Sequence, residues 1–266
     1  MLRLTGRPHY TLWASEIGGP HFKERTGQFF PIYYLDVDVT DVPVGTRDPL
    51  RVDVRIRLGK HLGPDGRVDR LISEAWTEIA TGDVRLGGTH KQAVFTHPDP
   101  DPAKRKVRVL HPSLGLGDLP EREIRPFGEA DLIAPPPGCI ALETLADRET
   151  RVWSYQQTDP NGHVHAMEYV RVMEAFAADE LARRGVSPRG YHFARGRILF
   201  RRPCFTGGWY WRSARRFRGP DGADVLNGSI FPVAAPDDPP GERPATLVQL
   251  WAKKTLQSSG HCDKGP

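Results

Sequence analysis

Residues 33–40 alternate Tyr33, Leu35, Val37 and Val39 with Tyr34, Asp36, Asp38 and Thr40, and residues 51–58 alternate Val52, Val54, Ile56 and Leu58 with four charged positions. A period of two sends the two sets to opposite faces of an extended chain, so each stretch is a predicted strand, buried on one face and wet on the other. Gly63-Pro-Asp-Gly66 reads as a hairpin turn. Residues 68–79 and 91–96 then continue as a third and a fourth strand. In the second half residues 151–157, 196–202, 209–217, 225–233 and 246–254 are strand candidates. One stretch has the other period. Over residues 164–184, Val164, Met167, Val170, Met173, Ala177 and Leu181 form one row at helical spacing, and Tyr169, Val172 and Phe176 form a second beside it. Two adjacent rows make an apolar arc too wide for a surface helix, so a largely buried helix is predicted. Gly185 is placed to end it.

Three proline-rich stretches cannot be helix interior or central strand: His97-Pro-Asp-Pro-Asp-Pro102, Ala134-Pro-Pro-Pro-Gly138 and Ala235-Pro-Asp-Asp-Pro-Pro-Gly241. The middle one divides the chain nearly in half. Gly63-Pro-Asp-Gly66 recurs 156 residues later as Gly219-Pro-Asp-Gly222, which suggests a duplicated unit. The first-half counterpart of the long helix would be residues 12–25, interrupted by Gly18-Gly19-Pro20. The expected organisation is residues 1–133, a linker 134–140, residues 141–255 carrying the site, and a tail 256–266. The fold class is α+β.

Composition narrows the class. Apolar residues are 38% and charged residues 26% of the 266, with 27 glycines and 25 prolines, which fits a loop-rich globular chain rather than a membrane-spanning or disordered one. The N-terminal residues carry no apolar export signal, so the expectation is a cytoplasmic protein without a membrane partner. Three widely spaced cysteines, Cys139, Cys204 and Cys262, do not form a disulfide framework. A net charge of +4 falls short of a nucleic-acid signature, although residues 195–218 hold eight arginines and no Asp or Glu. Those arginines, interleaved with Trp209, Tyr210 and Trp211, read as a solvated sheet face, as a stacking platform for single-stranded nucleic acid, or as a grip on the phosphates of coenzyme A or an acidic carrier protein. The last fits the adjoining chemistry better than nucleic acid does.

That chemistry lies in Ser154-Tyr-Gln-Gln-Thr-Asp159-Pro-Asn161-Gly-His163-Val-His165-Ala-Met-Glu-Tyr169, the junction of a strand and the buried helix. A helix start offers unpaired amides and partial positive charge to an oxyanion forming on a thioester carbonyl. Gly162 lets a substrate approach the backbone. Asp159 could attack the carbonyl or activate water, Asn161 or His163 could donate hydrogen bonds to the same centre, and the amides after Gly162 could form the oxyanion hole. The plain alternative is that Asp159-Pro160 is a helix N-cap followed by proline at the first helical position. His163 and His165, two apart on a helix, cannot share an ion, so no metal or cofactor is expected. Glu168 and Glu174 read as surface charges, and Cys204 as a small buried hydrophobe. Serine-elbow, phosphate-loop and dinucleotide motifs are missing from the sequence.

The same stretch resembles the hotdog-fold thioesterases, including the acyl-carrier-protein thioesterases, which carry T-D-x-x-G-H-V-N-x-x-x-Y at this junction. Thr158, Asp159, Gly162, His163, Val164 and Tyr169 match, and His165 replaces the asparagine. The resemblance implies a double hotdog, each half a long helix packed on an antiparallel sheet of about five strands. It implies hydrolysis of acyl thioesters on coenzyme A or acyl carrier protein, with Asp159, Asn161 and His163 catalytic and Gly162, Val164 and Tyr169 lining the substrate. Asp159-Pro-Asn161-Gly162, with Ser15-Glu-Ile-Gly-Gly-Pro-His21-Phe22 and the run from Phe29 to Tyr34, is more faintly similar to the leinamycin-type acyltransferase/decarboxylases of polyketide biosynthesis, also double hotdogs. That likeness implies Tyr33 or Tyr34 at the acyl group, and it keeps acyl transfer, decarboxylation and dehydration open. A non-catalytic module binding an acyl chain, a carrier protein or RNA is the remaining alternative. The first half lacks D-x-x-G-H, so one working site is expected, and pairing into a homodimer stays open.

Overall fold

Where hydrophobic and charged residues alternate, the chain is extended. The structure, a computed structural model, describes residues 22–40, 42–45, 47–99, 101–114, 117–123, 128–159, 162–183, 185 and 191–254. Its longer elements are α1 (Phe22–Thr26), β1 (Ile32–Val39), β2 (Arg51–Leu62), β3 (Val68–Thr81), β4 (Val84–Val94), α2 (Glu129–Ile133), β5 (Ile140–Ala146), β6 (Arg151–Val152), α3 (Ala166–Arg183), β7 (Tyr191–Phe200), β8 (Trp209–Arg218), β9 (Asp224–Val233) and β10 (Thr246–Lys254). They fall into two compact units, one of Met1–Asp131 with Arg197–Arg201, the other of Leu132–Gly196 with Arg202–Pro266. The residues of β7 are divided between the two. No helix among the described residues is long and apolar enough to cross a membrane.

In the first unit the strand order is β2-β3-β4-β1, and each neighbouring pair is antiparallel. Ala75 of β3 faces Ile56 of β2 on one side and Lys91 of β4 on the other, and Leu35 of β1 completes the row. Arginines 51, 55 and 57 lie on the exposed side of β2, as its alternation requires. At one end of this sheet Phe22 of α1 packs with Leu71, Phe95 and Val107, and Ile56 and Leu58 close the cluster.

The second unit has the strand order β10-β9-β8-β5, again antiparallel, with β6 paired to β8. The two Gly-Pro-Asp-Gly turns have the same construction. Gly66 and Gly222 donate to Gly63 and Gly219, which donate in turn to Arg67 and Ala223, closing β2–β3 and β8–β9 respectively. Gly66 and Gly222 both have φ in the left-handed region, at 73° and 79°. A tetrapeptide that recurs in sequence therefore recurs as a hairpin, one in each unit.

The buried helix is α3. Tyr169, Val172, Met173, Phe176, Ala177 and Leu181 are all buried along it, and Gly185 donates to Ala182 at its end. Met173 lies against Gly228 of β9, where a Cβ would meet the methionine Cε at 2.3 Å. Met173 is fully buried, so its terminal methyl could make room only by shifting within the packed core. Gly228→Ala should therefore cost about 1–3 kcal/mol through overpacking, read as a lower urea midpoint, and adding Met173→Ala should recover part of the loss.

The observed fold departs from the expected one in definite places. Helix α3 is the one long helix among the described residues. The expected first-half counterpart lies mostly outside them, and its described end is the five-residue α1. Strand β4 begins at Val84, seven residues before the predicted start, because Gly87 and Gly88 break the alternation that marks a strand without breaking its hydrogen bonds to β1 and β3. Strand β5 was not predicted. It is an edge strand with mostly exposed residues, and no buried face imprinted a pattern on it. The predicted strand 151–157 is the two-residue β6 followed by a short 3-10 turn at Tyr155–Gln157.

Candidate functional site

Between that turn and α3 the chain makes a tight, heavily bonded loop. The Asp159 amide donates to the carbonyl of His163 (2.8 Å), Gly162 donates to the carbonyl of Asp159 (2.9 Å), and the His163 amide donates to Oδ1 of Asp159 (3.0 Å). Thr158 and Val164 are bridged across the loop. Gly162 closes it at φ 75°, a region that only glycine enters cheaply. An added Cβ would meet nothing nearer than Thr206 Oγ1 at 3.9 Å, so the obstacle is the backbone and not space. Gly162→Ala should cost about 1–2 kcal/mol, measured by urea unfolding, with a parallel loss of whatever the loop does.

The loop is pinned along one side by residues 203–208. Val164 donates to the carbonyl of Cys204, Thr206 donates to the carbonyl of Gly162 and, through its hydroxyl, to the Thr158 hydroxyl, and His163 is bridged to Phe205. The His163 ring meets the half-exposed Phe205 ring edge-on at 5.0 Å. Beneath, the Cys204 amide donates to the hydroxyl of Tyr169, and Trp153 stacks on Tyr210 at 4.1 Å. A carboxylate and an imidazole, both partly exposed, thus lie four residues apart above a buried aromatic floor.

The structure corrects parts of the expected arrangement. Helix α3 starts at Ala166, so Asp159 caps its own loop and is not the helix N-cap. The amides after Gly162 are committed: His163 to Asp159, Val164 to Cys204, and His165 to the carbonyl of Gln157. Glu168 donates to His165 at the first turn, so the helix-start donors nearest the loop are Ala166 and Met167. Asn161 and Pro160 lie outside the described residues, as do His261 and Cys262 in the expected tail. Val164 is buried, and Tyr169 is 2% exposed with burial pushing its hydroxyl pKa upward, so both belong to the floor.

Tyr33 and Tyr34 are in the other unit. The Tyr33 hydroxyl bonds Gln92, and fully buried Tyr34 donates to Asp36 at 3.3 Å, so both hydroxyls serve the first sheet. Glu168 pairs with Arg171 at 2.8 Å, whereas Glu174, expected on the surface, is half-buried with its carboxyl pKa raised by burial and only partly lowered by Arg171. Cys204 is buried, and burial raises its thiol pKa.

The eight arginines do not form one phosphate-binding patch. Alternation on the strands sends them to different faces. Arg197 and Arg201 pair with Asp36 and Glu129 in the first unit. In the second, Arg216 pairs with Glu143 and Asp224, while Arg195 and Arg215 lie over the rings of Trp251 and Phe217. Arg212 is buried under α3. Arg202 and Arg218 are exposed. The sequence could not reveal most of these partners, because Asp36, Glu129 and Glu143 are remote in the chain; Asp224 alone is near, eight residues from Arg216 across the β8–β9 hairpin.

No protein-family model matches the sequence, and no curated protein matches it. Solved structures do match its fold. An acyl-ACP thioesterase from Bacteroides thetaiotaomicron is 12% identical and superposes with a TM-score of 0.57, covering 93% of this chain and 86% of that one. The 12:0-ACP thioesterase from Umbellularia californica is 10% identical, with a TM-score of 0.58 and coverage of 96% and 88%. A double-hotdog protein from Mycobacterium tuberculosis is 14% identical, with a TM-score of 0.51 and coverage of 91% and 80%. The chain therefore has the hotdog fold. It is the double kind, two hotdog units in one polypeptide.

Proposed function

We propose that the protein hydrolyses acyl thioesters at the loop Thr158–Val164. The observation that carries this reading is the Asp159 carboxylate, fixed by the His163 amide, with the His163 ring on the same loop and both partly exposed. Asp159 acts as general base on water or attacks the carbonyl directly, and His163 donates to the developing oxyanion or the leaving thiolate. We assign the amides of Ala166 and Met167, at the start of α3 and backed by its dipole, as the main-chain donors to the oxyanion. Asn161, two residues from each acid–base partner, is assigned to orienting the substrate. Fold likeness to acyl-ACP thioesterases supports thioesters as the substrate class and acyl carrier protein as a carrier to test alongside coenzyme A.

The purified protein should release free acid and thiol from some member of a panel of acyl-coenzyme A and acyl-carrier-protein substrates, with products identified by mass. Accumulation of a transferred or decarboxylated acyl group would redirect the proposal to those chemistries. No turnover of any thioester across chain lengths would remove it.

A further inference from the structure

Strand β8 presents different chemistry on its two faces. Tyr210 stacks on Trp153 and Arg212 bonds α3, so strand alternation sends Trp209 and Trp211 to the opposite face. There the two indoles, both partly exposed, line a cleft of about 530 Å³ within the second unit. Small-molecule sites run from roughly 300 to 1,000 Å³. Arg148 and Glu149, from the segment after β5, form one wall, and Asp237 and Asp238, from the segment after β9, form the other. The Thr150 hydroxyl donates to the carbonyl of Pro236 (2.7 Å) and ties the two walls together.

Elsewhere in this protein partly exposed indoles carry a cation: Arg57 lies 5.2 Å over Trp76, and Arg195 lies 5.1 Å over Trp251. Trp209 and Trp211 carry none among the described residues, although Arg148 lines the same cleft. Glu149, Asp237 and Asp238 are exposed and form no ion pair among the described residues. Three carboxylates against one guanidinium make the cleft negative on a chain whose net charge is +4. Indole faces and surplus carboxylates both attract cations. The Trp211 N–H is already committed to the carbonyl of Asp147 (3.1 Å), so that ring offers surface rather than a hydrogen bond. Ring surface favours a bulky, weakly hydrated cation over a small, tightly hydrated one.

We propose that this cleft binds a small quaternary ammonium compound, its methylated cation against Trp209 and Trp211 and its charge balanced by Glu149, Asp237 and Asp238. The site lies on the face of β8 opposite Tyr210, which floors the Asp159 loop, and its occupancy requires no turnover. Its failure and that of the hydrolase reading are therefore separable.

The test titrates the full chain with choline chloride at constant ionic strength, followed by indole N–H NMR shifts and calorimetry. The neutral control is 3,3-dimethyl-1-butanol, which has the shape of choline without its charge. Wild type should bind choline in the millimolar range and about fivefold or more tightly than the alcohol. Trp209→Leu should weaken choline by about fivefold. The double change Asp237→Asn with Asp238→Asn, at two exposed positions, should weaken choline by about three- to tenfold and leave the alcohol unaffected. Equal affinity for choline and the alcohol, choline binding untouched by the double change, or equally tight binding of methyl glucoside overturns the proposal. Absence of choline binding up to about 100 mM overturns it too. If Trp209→Leu does not fold, the aspartate double change and the wild-type comparison of choline with the alcohol decide alone.

Discussion

Asp159→Asn should reduce acyl-thioester turnover by about 10²–10⁴-fold while leaving the fold intact. The asparagine keeps an oxygen where Oδ1 accepts the His163 amide, so the loop retains its main-chain bonds and loses only the group that takes a proton or attacks a carbonyl. That range corresponds to about 3–5 kcal/mol of transition-state stabilisation. Asp159→Ala should lose the chemistry and loosen the loop as well, which would appear as a further drop in turnover and a small fall in the urea midpoint. His163→Gln, which retains a donor without imidazole basicity, separates hydrogen bonding from proton transfer. Unchanged kcat in Asp159→Asn, with unfolding curves superimposed on wild type, would assign the loop a purely structural role.

The largest expected effect on stability lies under α3. Arg212 of β8 is 3% exposed and makes a bidentate pair with Asp147, two bonds of 2.8 Å, while its backbone amide donates to the same carboxylate. Its remaining nitrogen donates to the carbonyl of Val172 in α3, and the guanidinium lies 4.7 Å over the Phe176 ring. One side chain thus ties the segment after β5, the sheet and the helix together. Asp147→Asn leaves a buried guanidinium without its countercharge and should cost about 3–5 kcal/mol, read as the loss of unfolding free energy in urea. Replacing both partners with Leu and Met should cost less than either single change, because no charge is then stranded. A loss below about 1 kcal/mol for Asp147→Asn would mean that water reaches the pair in solution.

Much of this was legible along the chain because it is local. The period of two in β1 and β2, the twin hairpin tetrapeptides and the double apolar row of α3 are written in consecutive residues, and each forms its element, although in β1 Tyr34, on the face expected to be wet, is fully buried while Val39, on the other, is exposed. Asp159, Gly162 and His163 could be singled out for the same reason: five residues contain the carboxylate, the turn and the imidazole. Strand β5 and the start of β4 escaped because an edge strand and a glycine-containing strand are specified by their neighbours' hydrogen bonds.

Sequence alone therefore determined the strand pattern, the buried helix and the short stretch that brings Asp159, Gly162 and His163 together, since those follow from spacing within a few residues. Tertiary structure decided what charges do. It divided eight consecutive-looking arginines among ion pairs, aromatic faces, the core beneath α3 and, for Arg202 and Arg218, the exposed surface, and it moved the helix start to Ala166. Each outcome depends on which distant strand lies alongside, and a charge's role is set by the burial and partners that pairing supplies.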